Sequence, residues 1–159
     1  MKLEALTKPA APHLHLLIAP QAAASTALLA LRQQSIAVRF VRGGKAATKQ
    51  ALLDELSAAL QFPSYFGNNW DACADCLRDL SWLDHSGGIA VVFTDADRLL
   101  IDAGEPAFKT LLAVLTETAK HWDKTNAAKS SRPFHVVFQA EAENVQKLMQ
   151  RFPGVASIG

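Results

Sequence analysis

Hydrophobic and polar positions along this chain switch between two periods, and the switches mark out alternating helices and strands. From Thr48 to Gln61 the apolar residues Leu52, Leu53, Leu56, Ala59 and Leu60 trace a helical stripe, with Thr48 as its cap and Pro63 beyond its end. Ile89–Phe93 is instead an unbroken apolar run after Gly87-Gly88, the pattern of a strand covered on both faces. Phe108, Leu111, Leu112, Leu115, Ala119 and Trp122 restore the helical period, with Pro106 suited to a first helical position, and Phe134–Phe138 returns to strand. Ahead of these lie a short strand at Leu14–Ala19, an alanine- and leucine-rich helix at Ala22–Gln33 and a strand at Ala37–Val41. After them come a helix over Glu141–Phe152 and one more strand at Val155–Ile158. Met1–Pro12 has two prolines and no periodicity, and is expected to be a mobile arm before a single domain spanning 13–159. Strands joined by helices pair in parallel through right-handed crossovers, so the expected class is α/β: a small parallel sheet of three or more strands with helices packed on it.

One segment carries more than a folding pattern. Phe62–Leu83 reads F-P-S-Y-F-G-N-N-W-D-A-C-A-D-C-L-R-D-L-S-W-L, an aromatic loop running into a helix. Pro63 and Gly67 mark the loop, and Asn68 is expected to cap the helix, with Asp71 completing a pair of the capping-box kind. Asp71 and Asp75 lie about 40° apart around the helix axis, and Asp79 continues the stripe. Cys73, Cys76, Leu77 and Leu80 occupy the opposite face. Like charges at this spacing cost an isolated helix roughly 0.2–0.5 kcal/mol per pair, which Arg78 relieves only in part. Helix stability therefore does not explain the stripe, which is either an ordinary solvated face or a docking face for a cationic partner.

Composition narrows the choice. With 159 residues, half of them hydrophobic, the chain can bury the core of one domain, and its net charge of +1 marks neither a general nucleic-acid binder nor an acidic decoy. Charge is nonetheless uneven: Asp71, Asp75, Asp79 and Asp84 face only Arg78, while Lys120, Lys124, Lys129 and Arg132 cluster around Asp123. The basic stretch has few aromatics and reads as a solvated loop more than as a nucleic-acid site. Two cysteines three residues apart form no disulfide framework and suit the reducing cytoplasm. Their C-x-x-C spacing raises a rival reading, a thiol redox protein, although that chemistry needs an exposed first thiol at a helix start and these thiols share the apolar face. No second cysteine pair or histidine cluster completes a metal shell, so no metal or cofactor is expected. Leu14–Ala19 is too short for an export signal and is interrupted by Pro20, and no stretch is long enough to span a membrane. Asp84, His85 and Ser86 are sequence neighbours, whereas a catalytic triad converges from separate elements.

Phe62-Pro63-Ser64-Tyr65-Phe66-Gly67-Asn68-Asn69-Trp70-Asp71-Ala72, followed by Asp75-Cys76-Leu77 and Trp82, resembles the barstar family of intracellular ribonuclease inhibitors. The resemblance covers roughly Ile36–Gln139, leaving about 35 residues before it and about 20 after it as extensions of a barstar-like sheet. It implies a binding protein and not an enzyme, whose loop and acidic helix plug a nuclease active site and mimic RNA phosphate. On that resemblance Asp75 takes the place of a substrate phosphate, Asp71 is a second anchor one turn earlier and Tyr65 covers the catalytic histidine. Phe66, Gly67 and Asn69 complete the contacting loop, and Glu117 adds a contact from a later helix. Ala74 stands where the family's best-known member has a tryptophan, so one large contact is missing. The implied partner is a ribonuclease of the same cell, or the toxic nuclease domain of a competitor, against which the chain would serve as an immunity protein.

Overall fold

The unbroken apolar runs become inner strands, because only a strand covered on both sides can hide every side chain. In the computed structural model, which describes residues 1–128 and 132–159, β1 (Leu14–Ile18), β2 (Ile36–Arg42), β3 (Gly88–Thr94) and β4 (Phe134–Ala140) form one parallel sheet in the order β1-β4-β3-β2. Lys129 of the basic stretch lies outside the described residues. β3 and β4 are buried along their full length. Val91 sits opposite Arg39 on one side and Val136 on the other, and Leu16 opposite Phe138.

Among the described residues, five helices connect and follow these strands: α1 (Gln21–Leu29), α2 (Lys49–Leu60), α3 (Trp70–Asp79), α4 (Glu105–Ala128) and α5 (Val145–Arg151). The connection from β1 to β2 crosses the whole sheet, while the next two step back one strand at a time. Right-handed crossovers running in opposite directions must lie on opposite faces. The core divides accordingly. Leu16, Val91, Phe93, Val136 and Phe138 pack against α2 to α5, and Leu17, Val38, Val92 and Val137 pack with Ala24, Leu28 and Leu6 on the other side. On the first face Phe138 stacks between Phe93 and Phe152, with ring centroids 5.3 and 4.2 Å away.

Helix boundaries follow local chemistry. Thr48 Oγ1 accepts from the Ala51 amide at 3.2 Å, and α2 stops at Gln61 in the left-handed region (φ 52°). The alanine-rich helix begins at Gln21 and tightens into a 3-10 turn at Ala30–Gln34. Pro20, at its cap position, offers no side-chain acceptor, and the Glu141 carboxylate supplies one, 3.0 Å from the Gln21 amide. α4 starts at Glu105, one residue before Pro106. The helix expected over Glu141–Phe152 is a 3-10 turn at Ala142–Asn144 leading into α5.

The two chain ends correct the sequence expectations. Residues 1–12, expected as a mobile arm, contain a 3-10 turn at Leu3–Thr7 whose Leu6 is fully buried in the second core. Burial of Leu6 and a 2.7 Å hydrogen bond from the Lys2 amide to the Ile158 carbonyl dock the segment. Val155–Ile158 makes a single bridge instead of a full strand: Leu16 donates to the Ala156 carbonyl, and Ile158 donates back to Leu16. That bridge covers the outer edge of β1, which would otherwise present unpaired backbone groups.

Candidate partner-binding site

α3 is positioned from its first residue by Asn69. The Asn69 side-chain oxygen accepts from the Ala72 amide at 2.8 Å, and its Nδ2 donates to the Gly67 carbonyl at 3.2 Å. The expected cap, Asn68, is corrected by one position: it turns the chain in the left-handed region (φ 56°), which asparagine tolerates better than most residues. With Asn69 as cap, Asp71 is the second helical residue and makes no capping box, but its charge lies in the first turn, where the helix dipole favours it. Asn69→Ala is expected to lower stability by about 1 kcal/mol, within the range of roughly 0.5–2 for a lost cap, measurable as a shifted urea midpoint at unchanged slope.

The loop before α3 is braced from inside. Phe62 is buried, its ring 5.0 Å from half-buried Phe66 and 6.4 Å from Trp82. The Trp82 Nε1–H donates to the Leu60 carbonyl at 2.8 Å, and the Phe66 amide to Pro63 at 2.9 Å. Half-buried Trp70 packs against the same core, with the Lys49 ammonium 5.8 Å from its ring. Tyr65 is left projecting, 74% exposed, from a loop whose other aromatics are pinned. Gly67 and Asn69 are exposed beside it.

Along α3, Cys73, Cys76 and Leu77 are buried and Asp71, Asp75 and Asp79 are exposed, with Ala74 half-buried. Arg78 Nη2 donates to Asp75 Oδ1 at 2.6 Å, and the two side chains keep 41% and 74% exposure. Such a solvated pair contributes about 0–1 kcal/mol, so Asp75 is held by an arginine from which it separates at little cost. α4 packs beside α3, and a buried Trp122 Nε1–H donates to the Leu77 carbonyl at 3.1 Å. Trp122 also stacks on Phe134 (5.8 Å) and meets His85 edge-on (5.2 Å). Glu117 is exposed on α4, 3.4 Å from Lys120. Tyr65, Gly67, Asn69, Asp71, Ala74 and Asp75 thus share one loop and helix, Phe66 supports them from below, and Glu117 stands on the neighbouring helix.

The thiols have the wrong environment for exchange chemistry. Both cysteines are free and buried. Burial, and then the neighbouring Cys76, push the Cys73 thiol up to about 12. Burial, followed by Asp75 and Asp79, also raises Cys76. Redox cysteines require the opposite, an accessible and acidified thiol. Among the described residues, no group of three or more His, Cys, Asp or Glu is arranged to hold a metal ion. None of their helices is long and apolar enough to cross a membrane.

Trp122 is the residue that sequence reasoning passed over: it reads as one more apolar position in a stripe, yet its ring nitrogen joins the two helices that carry the acids. A tryptophan ending such a stripe is the one available signal, because a buried indole N–H needs a partner.

Comparison with known proteins bears on this geometry. The family model described as barstar (barnase inhibitor) matches residues 36–139, from the first residue of β2 into β4, and so contains the whole loop, α3 and Glu117. No curated protein matches the chain. Among solved structures, the Aeropyrum pernix ORC2 protein in its ADP form superposes with a TM-score of 0.52 at 8% identity, over 99% of this chain and 44% of that one. A Drosophila ORC structure, bound to AT-rich DNA and Cdc6, gives 0.49 at 12% identity, over 89% and 43%. This chain therefore spans less than half the length of either, and at such identity the Aeropyrum likeness is one of fold alone. The family model covers most of the chain, with the braced aromatic loop and acidic helix inside it: the chain belongs to the barstar (barnase inhibitor) family.

Proposed function

We propose that this protein inhibits a ribonuclease in the cytoplasm by placing Asp75 and Asp71 where the enzyme binds RNA phosphate. The observation that carries this reading is the contrast along one segment: Tyr65, Asp71 and Asp75 are exposed, while Phe62, Cys73, Cys76 and Leu77 around them are locked in the core. A ribonuclease active site must gather cationic side chains to hold phosphate. A carboxylate delivered there on a preformed helix makes short charge-assisted hydrogen bonds, bidentate where the partner is arginine. On docking, Asp75 exchanges Arg78 for a cation of the enzyme, and Arg78 turns to solvent. Tyr65 adds rigid contact area at small entropy cost, and Glu117 contributes from α4.

Ala74 and the net charge of +1 shape the choice of partner. A small residue between the two anchors leaves room for a bulkier side chain from the enzyme, and near-neutral charge gives weak long-range steering. These features leave room for a partner outside the barnase class, and the second candidate is the toxin nuclease domain of a competitor, with this chain acting as its immunity protein. RNA cleavage by a barnase-class ribonuclease and by toxin ribonuclease domains, titrated with the purified protein, tests both. One-to-one loss of activity in either set supports the reading, and full activity of every nuclease at excess inhibitor contradicts it.

A further inference from the structure

The segment ahead of β1 lies outside the residues matched by the family model, and histidines hold it to the sheet. His135 Nε2 is 2.7 Å from the Lys8 carbonyl, which can only accept, so this nitrogen carries a proton. In the neutral ring, Nδ1 is then a lone pair, and it accepts from His15 Nε2–H at 3.0 Å. His15 is left with an unprotonated Nδ1 that is buried without a hydrogen-bond partner among the described residues. The exposures are 1% for His15 and 0% for His135. His13 differs, since both its nitrogens face acceptors: the Asp123 carboxylate at 2.7 Å and the Phe134 carbonyl at 3.1 Å.

We propose that His15 and His135 form an acid-sensitive latch: while neutral they pin residues 1–12 to the sheet, and once protonated they release that segment while β3 and α3 stay folded. One added proton goes to His15 Nδ1, the one lone pair of the two rings not already accepting, and places a buried charge and an N–H with no acceptor among the described residues. Two added protons leave two N–H donors facing each other at 3.0 Å. The ionisable groups around the pair are His13, whose ring centroid is 5.3 Å from that of His135, and Asp123 of α4 behind it. The N-terminal segment contributes the Lys8 and Pro12 carbonyls, and α1, on the same face, contains no ionisable residue. Burial, followed by the charges of His135 and His13, lowers His15 to about 4. Burial also lowers His135, against the opposing pull of Lys8, Asp123 and Pro12. Both rings are therefore neutral in the folded chain over a pH range where the unfolded chain binds protons. The stabilisation is complete above about pH 6.5 and is lost as pH falls toward 4.

The released segment would withdraw Leu6 from the second core and break the bond from Lys2 to Ile158. Residue-resolved hydrogen exchange of the full chain between pH 7.5 and 4, corrected for intrinsic rates, reads this directly. Protection at the Lys2 and Ala10 amides is expected to fall at least about tenfold between pH 6.5 and 4, while Val91 and Cys73 keep theirs. His135→Gln retains an acceptor for His15 and a donor for Lys8, leaves His15 as the one ring of the pair that titrates, and is expected to make the pH step smaller. Should that variant not fold, ring titrations of the wild type decide: His15 and His135 must change state together with segment release. Protection of residues 1–12 that persists to pH 4, that is lost in step with Val91, or that falls as steeply in His135→Gln as in the wild type overturns the latch.

Discussion

Asp75→Ala is expected to abolish tight inhibition while leaving the fold as stable as before. Removing the side chain breaks only the exposed pair with Arg78, of about 0–1 kcal/mol, and relieves repulsion from Asp71 and Asp79 one turn away on either side. Folding stability should therefore change by no more than about 0.5 kcal/mol. In the proposed complex the same carboxylate would be enclosed among cations, and its loss would leave them buried and unpaired. Truncating such an anchor costs about 2–5 kcal/mol, a range to which the barnase–barstar complex itself contributes, which is roughly 30- to 4,000-fold in affinity. Inhibition titrations beside urea denaturation separate the two quantities. A variant that inhibits as well as wild type would remove Asp75 from the binding role.

Trp122→Ala reverses the pattern. The indole is 5% exposed, stacks on Phe134, meets His85 and donates to the Leu77 carbonyl, so its removal opens a large cavity and strands a buried acceptor between α3 and α4. The expected loss is about 3–5 kcal/mol, a large part of the stability of a domain this size. Any inhibition that survives at low temperature should weaken too, because the bond from Trp122 sets where α3 sits against the helix carrying Glu117. Trp122→Phe keeps most of the volume and lacks the N–H. It should recover most of the stability and so divide packing from hydrogen bonding.

Why these two residues differ was partly legible in the sequence. The acidic and apolar faces of α3 follow from spacing alone, as do the Thr48 cap and the inner strand at Ile89–Phe93, because each depends on residues within a turn or two. The choice between Asn68 and Asn69 as cap could not be read, since both side chains suit the role and the backbone direction after Gly67 decides. Docking of residues 1–12 was equally hidden. It depends on Leu6 finding a core built by β1 and β4, on Lys2 meeting Ile158, and on His135 reaching Lys8, all contacts between distant parts of the chain. The sheet order, and with it the pairing of His15 with His135 and the covering of the β1 edge, likewise emerges only when the two chain ends are brought together.

The central claim, that Asp75 and Asp71 occupy the place of RNA phosphate, is tested most directly by competition. A mononucleotide carrying a terminal phosphate, bound in the active site of the inhibited ribonuclease, should exclude this protein. The apparent Kd of the inhibitor is expected to rise in proportion to nucleotide concentration once the active site is saturated, and the nucleotide to be displaced as inhibitor is added. An affinity unchanged by saturating nucleotide, with both ligands bound at once, would contradict it.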